Sequence, residues 1–408
     1  MMYLVSPLPP KPTGTADYLR ELVIELFATR PDGHEHVTFV DRDLHPDSTS
    51  GLPPGARVID VREMCTSEAD TVIYFLASNH FHHFVLESLA RHRVGRCLTV
   101  IHDLTSLFVT HELSHSPKSP FTKADLVHAA SFEFGNRAAW LTENFEHLSR
   151  VATYFFTGQG LALSKSDLVV VHSQYAATRL RFEARPDVRL PAIRVGRHPT
   201  MRARLFQRKA RISGNPTATF TVGTFGFHTE IKRTTAIVEG FAAFARQLPE
   251  AERSQVRLVL GGRPEPQIAA AIETICRDAE IRHLVELTGF LTEEDLDRRI
   301  ADCDLCFCLR FPSCGETSGI LARVRAAGVP VATTRFAAFA EEPATYQVSP
   351  LYEREPEDIM DVLRSAYARR GQDGSTYRYF DRDAPAVPLV SEILAERIGA
   401  RAERPSSA

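Results

Sequence analysis

Short apolar runs, each separated from the next by a longer amphipathic stretch, recur along this chain, and that alternation restricts its fold more than any other feature. Runs such as Thr71–Leu76 (TVIYFL) and Leu168–Val171 (LVVV) are apolar on both faces. A strand of that kind must be covered on both sides, as in a parallel sheet flanked by helices. Strands are expected near Met2–Ser6, His36–Val40, Thr71–Leu76, Cys97–Ile101, Leu168–Val171 and Ala192–Val195. A second set is expected near Phe220–Thr224, Arg257–Leu260, Val285–Thr288, Leu305–Leu309, Val329–Thr333 and Tyr346–Ser349. Between them, segments such as Thr234–Gln247 and Glu293–Cys303 are long enough for crossover helices. The expected class is α/β, with two doubly wound Rossmann-like domains. Ligands of such sheets bind beyond the carboxyl ends of the strands, so a central cleft between facing domains is the expected site.

A length of 408 residues suits two medium domains. Residues 1–204 read as the first and 219–376 as the second, with the seam at Leu205–Ala218 (LFQRKARISGNPTA). Residues 377–400 read as a C-terminal helix returning toward the first domain, with a frayed RAERPSSA end. About residues 118–166 the strand rhythm breaks. That stretch holds Phe121, Phe132, Phe134, Trp140, Phe145, Tyr154, Phe155 and Phe156, and reads as a helical insertion. Its aromatics suit core packing first, and an acceptor groove or membrane-facing surface second.

A hydrophobic share of 44% and a net charge of −3 point to a globular protein with no electrostatic pull toward nucleic acid. Neither a leader nor a run near the roughly 20 apolar residues of a membrane span is evident, so the expected location is cytoplasmic, with peripheral contact to the inner membrane face left open. Cys306 and Cys308 lie in the apolar run Asp304–Leu309, where cysteine acts as a small hydrophobe, and the spacing lacks paired zinc knuckles. His111-Glu112-Leu113-Ser114-His115 fits the H-E-x-x-H zinc signature, but Ser116-Pro117 and Ser119-Pro120 are expected to stop any helix there. His80, His82 and His83 read as acceptor-side candidates at a helix start.

Three segments together carry a resemblance. They are Ser6-Pro7-Leu8-Pro9-Pro10-Lys11-Pro12-Thr13-Gly14-Thr15-Ala16-Asp17-Tyr18, then Gly223–Arg233 (GTFGFHTEIKR), then Leu309–Gly319 (LRFPSCGETSG). The last is followed by Ala327-Gly328-Val329-Pro330-Val331 and Phe339-Ala340-Glu341-Glu342-Pro343. In order and spacing these blocks resemble the retaining glycosyltransferases of family 4, in the subset with a Gly-Glu-Thr-Ser-Gly block. The resemblance implies a GT-B fold and sugar transfer from a nucleotide-sugar donor, UDP- or GDP-linked, with retention of configuration. It implies no cofactor and no metal, because lysine and helix N-termini carry the phosphate charge.

Residue by residue, it implies that Lys232 offsets charge on the leaving diphosphate and that Glu316 contacts the donor sugar. Independently of the family, glycine turns at helix N-termini suit a diphosphate, which puts Gly14 with Thr15, and Thr317, Ser318 and Gly319, in donor binding. Phe227 stands where the family usually has an arginine, leaving Arg310 and Arg233 as substitutes. Val324 stands where the family has a second glutamate, so ribose recognition passes to Ser318 or Arg323. In Ile101-His102-Asp103, at a strand end, His102 is placed to orient a hydroxyl and Asp103 to take the acceptor's proton. His172-Ser173 is a similar candidate, and Gly261-Gly262-Arg263 gives a nucleobase access to backbone. The departures leave an alternative: a catalytically inactive GT-B protein that binds a nucleotide-sugar or a partner. A sugar-nucleotide epimerase shares the fold but fits the blocks poorly. The acceptor and the oligomeric state are not encoded in any motif.

Overall fold

The computed structural model describes residues 1–28, 36–49, 51–147, 154, 156–199, 219–370 and 388–399. The seam read at 205–218 and the tail at 377–387 lie outside the described residues. Two compact units emerge. One contains Met1–Pro199, Cys314–Thr317 and the chain end from Ala386, and the other Thr200–Ser313 and Ser318–Pro385.

The first unit carries β1 (Met2–Val5), β2 (Val37–Asp41), β3 (Arg57–Asp60), β4 (Thr71–Leu76), β5 (Arg96–Ile101), β6 (Leu168–Val171) and β7 (Ala192–Val195). They form one parallel sheet in the order β3-β2-β1-β4-β5-β6-β7. The second unit carries β8 (Phe220–Phe225), β9 (Val256–Gly261), β10 (Val285–Gly289), β11 (Leu305–Cys308), β12 (Val331–Thr334) and β13 (Tyr346–Val348). Its parallel order is β10-β9-β8-β11-β12-β13. Each order reverses at the unit's first strand, so the loops leaving β1 and β4, and β8 and β11, flank the switch points where such sheets bind ligands.

The two-faced strands explain this layering. On β4, Val72, Tyr74 and Leu76 enter one core while Ile73 and Phe75 enter the core on the opposite face. On β11, Leu305 and Phe307 enter one core, Cys306 and Cys308 the other. Each such side chain contributes about 1.5–3 kcal/mol by leaving water. Cys303, Cys306 and Cys308 are therefore packing residues.

Three expectations need correction or addition. The edge strand β3 is missing from the sequence reading, because only Val58 and Ile59 in it are apolar and Arg57 and Asp60 bracket them. H-E-x-x-H does lie on a helix, Leu107–His115, which ends where the serine and prolines begin. The insertion holds the helices Lys123–Phe134, Ala138–Glu143 and Gly160–Lys165. Phe121 and Phe145 are core there, Phe132, Phe134, Tyr154 and Phe156 pack against that core, and Trp140 is exposed. Phe155 lies outside the described residues.

The C-terminal helix Val390–Gly399 belongs to the first unit. Val390, Ile393 and Leu394 are buried in its core, Ser391 Oγ donates to Glu25 at 3.2 Å, and Arg194 pairs with Glu396 at 2.6 Å. Among the described residues, no helix is long and apolar enough to cross a membrane.

Candidate functional site

In the second unit, β8 runs out into Gly226, whose φ of +97° belongs to glycine, and Gly226 N–H donates to Gly261 O at 2.7 Å. The chain needs the bare backbone here. A Cβ on Gly226 would lie 2.6 Å from Lys232 Nζ, and one on Gly262 2.2 Å from Gly226 O. The turn Glu230–Lys232 then returns Lys232 beneath the strand end. There Lys232 lines a small cavity with Thr224, Cys308, Arg310, Ser318 and Phe339.

Burial, and secondarily the neighbouring Arg310 charge, push the Lys232 ammonium down to about 7. Among the described residues, no carboxylate pairs with this ammonium. Two cations therefore converge beside Ser318, which caps the helix Gly319–Ala326 by accepting from Leu321 N–H at 3.2 Å. A helix N-terminus and two cations are chemically suited to an anion.

Arg233 is not part of it. Its φ is +58°, and its buried guanidinium donates to Glu355 at 2.7 and 2.6 Å and lies over Tyr352 at 4.1 Å. Of the two arginines offered in place of the family's, Arg310 is the one at the lysine. Arg323 is likewise committed, buried and paired with Asp297 at 2.8 Å, so it is withdrawn as a ribose contact.

In the first unit, His102 continues β5, with its N–H donating to Leu76 O at 2.8 Å. Its ring meets Tyr18 at 4.2 Å and His172 at 5.1 Å between centroids. Burial first, then His172, His198 and His82, hold the His102 imidazole well below the ordinary histidine range, so it is neutral. Its Nε2 is buried, with no hydrogen-bond partner among the described residues. Asp103 Oδ2 accepts from Ser78 N–H at 2.9 Å.

The segment Cys314–Thr317 contacts the same turn. Thr317 N–H donates to His102 O at 3.3 Å, and Cys314 Sγ meets Thr105 Oγ1 at 3.4 Å. Gly315 has φ +98°, and a Cβ there would lie 2.9 Å from Leu104. Buried Glu316 accepts from Cys314 N–H at 2.8 Å. Gly14 opens the helix Gly14–Ala28, where Thr15 Oγ1 meets Thr13 Oγ1 at 3.0 Å and Tyr18 follows one turn later against His102.

His102, Asp103, Glu316 and Thr317 are thus neighbours in one unit, and Lys232, Arg310, Ser318 and Gly319 in the other. His82 is buried, its Nδ1 at 2.9 Å from Asn79 Oδ1, and His83 meets Glu112 at 3.4 Å. Among the described residues, no cluster of three or more His, Cys, Asp or Glu is arranged to hold a metal. Tyr18 and His198 carry no motif that marks them, yet Tyr18 touches both His102 and His198. A signal existed: β5, β6 and β7 are each followed closely by a histidine, His102, His172 and His198.

No family model and no curated protein matches this sequence. Solved structures do match it along its length. HepE of Anabaena, solved in complex with UDP, is 14% identical, with 98% of this chain and 99% of that chain covered and a TM-score of 0.55. Sucrose-phosphate synthase of Thermosynechococcus elongatus is 16% identical, with 98% of each chain covered and a TM-score of 0.58. WaaG, a glycosyltransferase involved in lipopolysaccharide biosynthesis, is 14% identical over 98% and 99% of the two chains, with a TM-score of 0.58. The fold is GT-B. Open parallel α/β sheets bind ligands beyond the carboxyl ends of their strands, and Lys232 and His102 both follow such ends.

Proposed function

We propose that this GT-B chain is a glycosyltransferase that moves a sugar from a nucleotide-sugar donor to a hydroxyl-bearing acceptor with retention of configuration. The observation that carries the reading is the half-buried Lys232 ammonium, with Arg310 beside it and a helix N-terminus at hand, meeting no carboxylate among the described residues. A cation so poor in counter-charge suits an anionic ligand, and a nucleoside diphosphate supplies one. UDP is the nucleotide to try first, since HepE was solved with it.

In this reading Lys232 and Arg310 hold the diphosphate and stabilise the charge that grows on it as the glycosidic bond breaks. Ser318 and Gly319 add the helix N-terminus, and Gly14 and Thr15 a second turn of backbone N–H groups. Neutral His102 orients a sugar hydroxyl, Asp103 accepts the acceptor's proton, and Glu316 and Thr317 contact the donor sugar.

The test is calorimetric titration with UDP, GDP, ADP and their common sugars. One nucleotide is expected to bind the wild type, with affinity about tenfold lower, or about 1.4 kcal/mol, in Lys232→Ala. An absence of binding across the panel, or full affinity in the variant, would end this reading.

A further inference from the structure

The helical insertion of the first unit holds a carboxylate that the proposed chemistry does not use. Glu133, on the helix Lys123–Phe134, accepts from Thr157 N–H at 3.2 Å and Gly158 N–H at 2.6 Å, and also from the Thr157 hydroxyl. The turn it grips has no room to shift. Gly158 has φ +62°, and a Cβ there would lie 2.7 Å from Leu107 Cβ; one on Gly160 would lie 2.2 Å from Ala129 O.

From this turn, buried Gln159 donates its amide to Asp103 O at 3.1 Å and Leu104 O at 2.9 Å. Ser106 returns the contact, with N–H donating to Thr157 O at 2.8 Å and Oγ to Gly158 O at 2.7 Å. A continuous hydrogen-bonded chain thus links Glu133 to the backbone that carries His102 and Asp103.

We infer that Glu133 is a positioning residue, which fixes the His102–Ser106 turn through the Thr157–Gln159 turn. The inference rests on the reading of His102 and Asp103 as acceptor-side residues. Without its acceptor, Thr157 and Gly158 keep two N–H groups with no partner, and the turn loosens together with the backbone bonded to it. Burial, with Glu183 adding to it, pushes the Glu133 carboxyl up to about 7, while the N–H and hydroxyl donors oppose that rise. A glutamine of the same shape keeps one acceptor oxygen, for Gly158 N–H and the Thr157 hydroxyl, but turns its NH2 toward Thr157 N–H, so it restores only part of the clamp.

The experiment compares wild type with Glu133→Ala, Glu133→Gln and Asp125→Ala. Asp125 completes the capping box of the same helix with Thr122 and does not touch the turn, so its loss controls for helix destabilisation. Hydrogen exchange of peptides covering 102–106 and 157–159 is followed at a fixed distance below each melting temperature, with turnover of a UDP-sugar alongside. Glu133→Ala is expected to exchange about tenfold faster in both peptides, equivalent to about 1.4 kcal/mol of local opening. Its kcat falls while UDP affinity holds, Glu133→Gln lies between Glu133→Ala and wild type in both readouts, and Asp125→Ala matches wild type. Equal exchange in Glu133→Ala and Asp125→Ala overturns the inference, as does a Glu133→Gln variant that exchanges as fast as Glu133→Ala. If the wild type turns over no nucleotide-sugar, the enzymatic reading fails by itself, and the exchange comparison still decides whether Glu133 holds the turn.

Discussion

Two arginines that look equivalent in the sequence have opposite fates. Arg233 follows Lys232 directly, yet its left-handed backbone turns it away into a buried pair with Glu355. Arg310, far along the chain, joins Lys232 because β8 and β11 are neighbours in the sheet. The two should separate in one experiment. Removing one partner of a buried ion pair costs about 3–5 kcal/mol, so Arg233→Ala is expected to lower the melting temperature of the second unit by several degrees. Arg310→Gln is expected to weaken UDP roughly tenfold, the loss of one charged contact. Scanning calorimetry of both variants with and without UDP decides it; a nucleotide defect confined to Arg233→Ala would reverse the assignment.

At the scale of elements, the strands were legible wherever both faces are buried, because burial alone dictates their composition. The edge strand β3 was not, since among the described residues its outer edge has no neighbouring strand and half its residues are polar. The H-E-x-x-H helix shows the converse: proline punctuation marks where a helix ends, not whether one precedes it. Of the candidate site, the glycine turns could be read from local spacing, and Lys232 entered only through the family resemblance. The choice of Arg310 over Arg233, the Tyr18–His198 contact and the Glu133 clamp could not, because each depends on which strands or helices lie side by side. The glycines themselves divide into two kinds. Gly262 has φ +128° and no space for a Cβ, so Gly262→Ala is expected to destabilise its unit by a few kcal/mol. At Gly14 a Cβ would meet nothing within 4 Å, so packing does not require glycine there. Gly14→Ala is expected to keep or slightly raise stability, by about 0.5–1 kcal/mol, while lowering turnover. Paired melting and activity measurements test this; unimpaired turnover would remove Gly14 from the donor site.

At the scale of the whole molecule, buried imidazoles set the response to acid. Burial holds His82 and His172 down at about 3, and His198 and His228 at about 4, and His102 is lowered as well. The unfolded chain titrates these groups near 6.5, so below that pH it binds more protons than the native state. Their contribution to stability is complete above pH 6.5 and is lost as pH falls toward 4. At pH 5 each of the four costs about 2 kcal/mol. Glu133 opposes the trend with the reverse sign. Its native carboxyl holds a proton up to about 7 that the unfolded chain releases above its ordinary value near 4.5, so it favours the folded state as pH falls through that window. One carboxyl does not offset several imidazoles, and four of the five histidines belong to the first unit. Calorimetry at pH 7.5, 6 and 5 is therefore expected to show the transition of the first unit moving down further than that of the second. A double His172→Gln, His198→Gln variant is expected to flatten that dependence, and transitions that shift in parallel would place the acid sensitivity elsewhere.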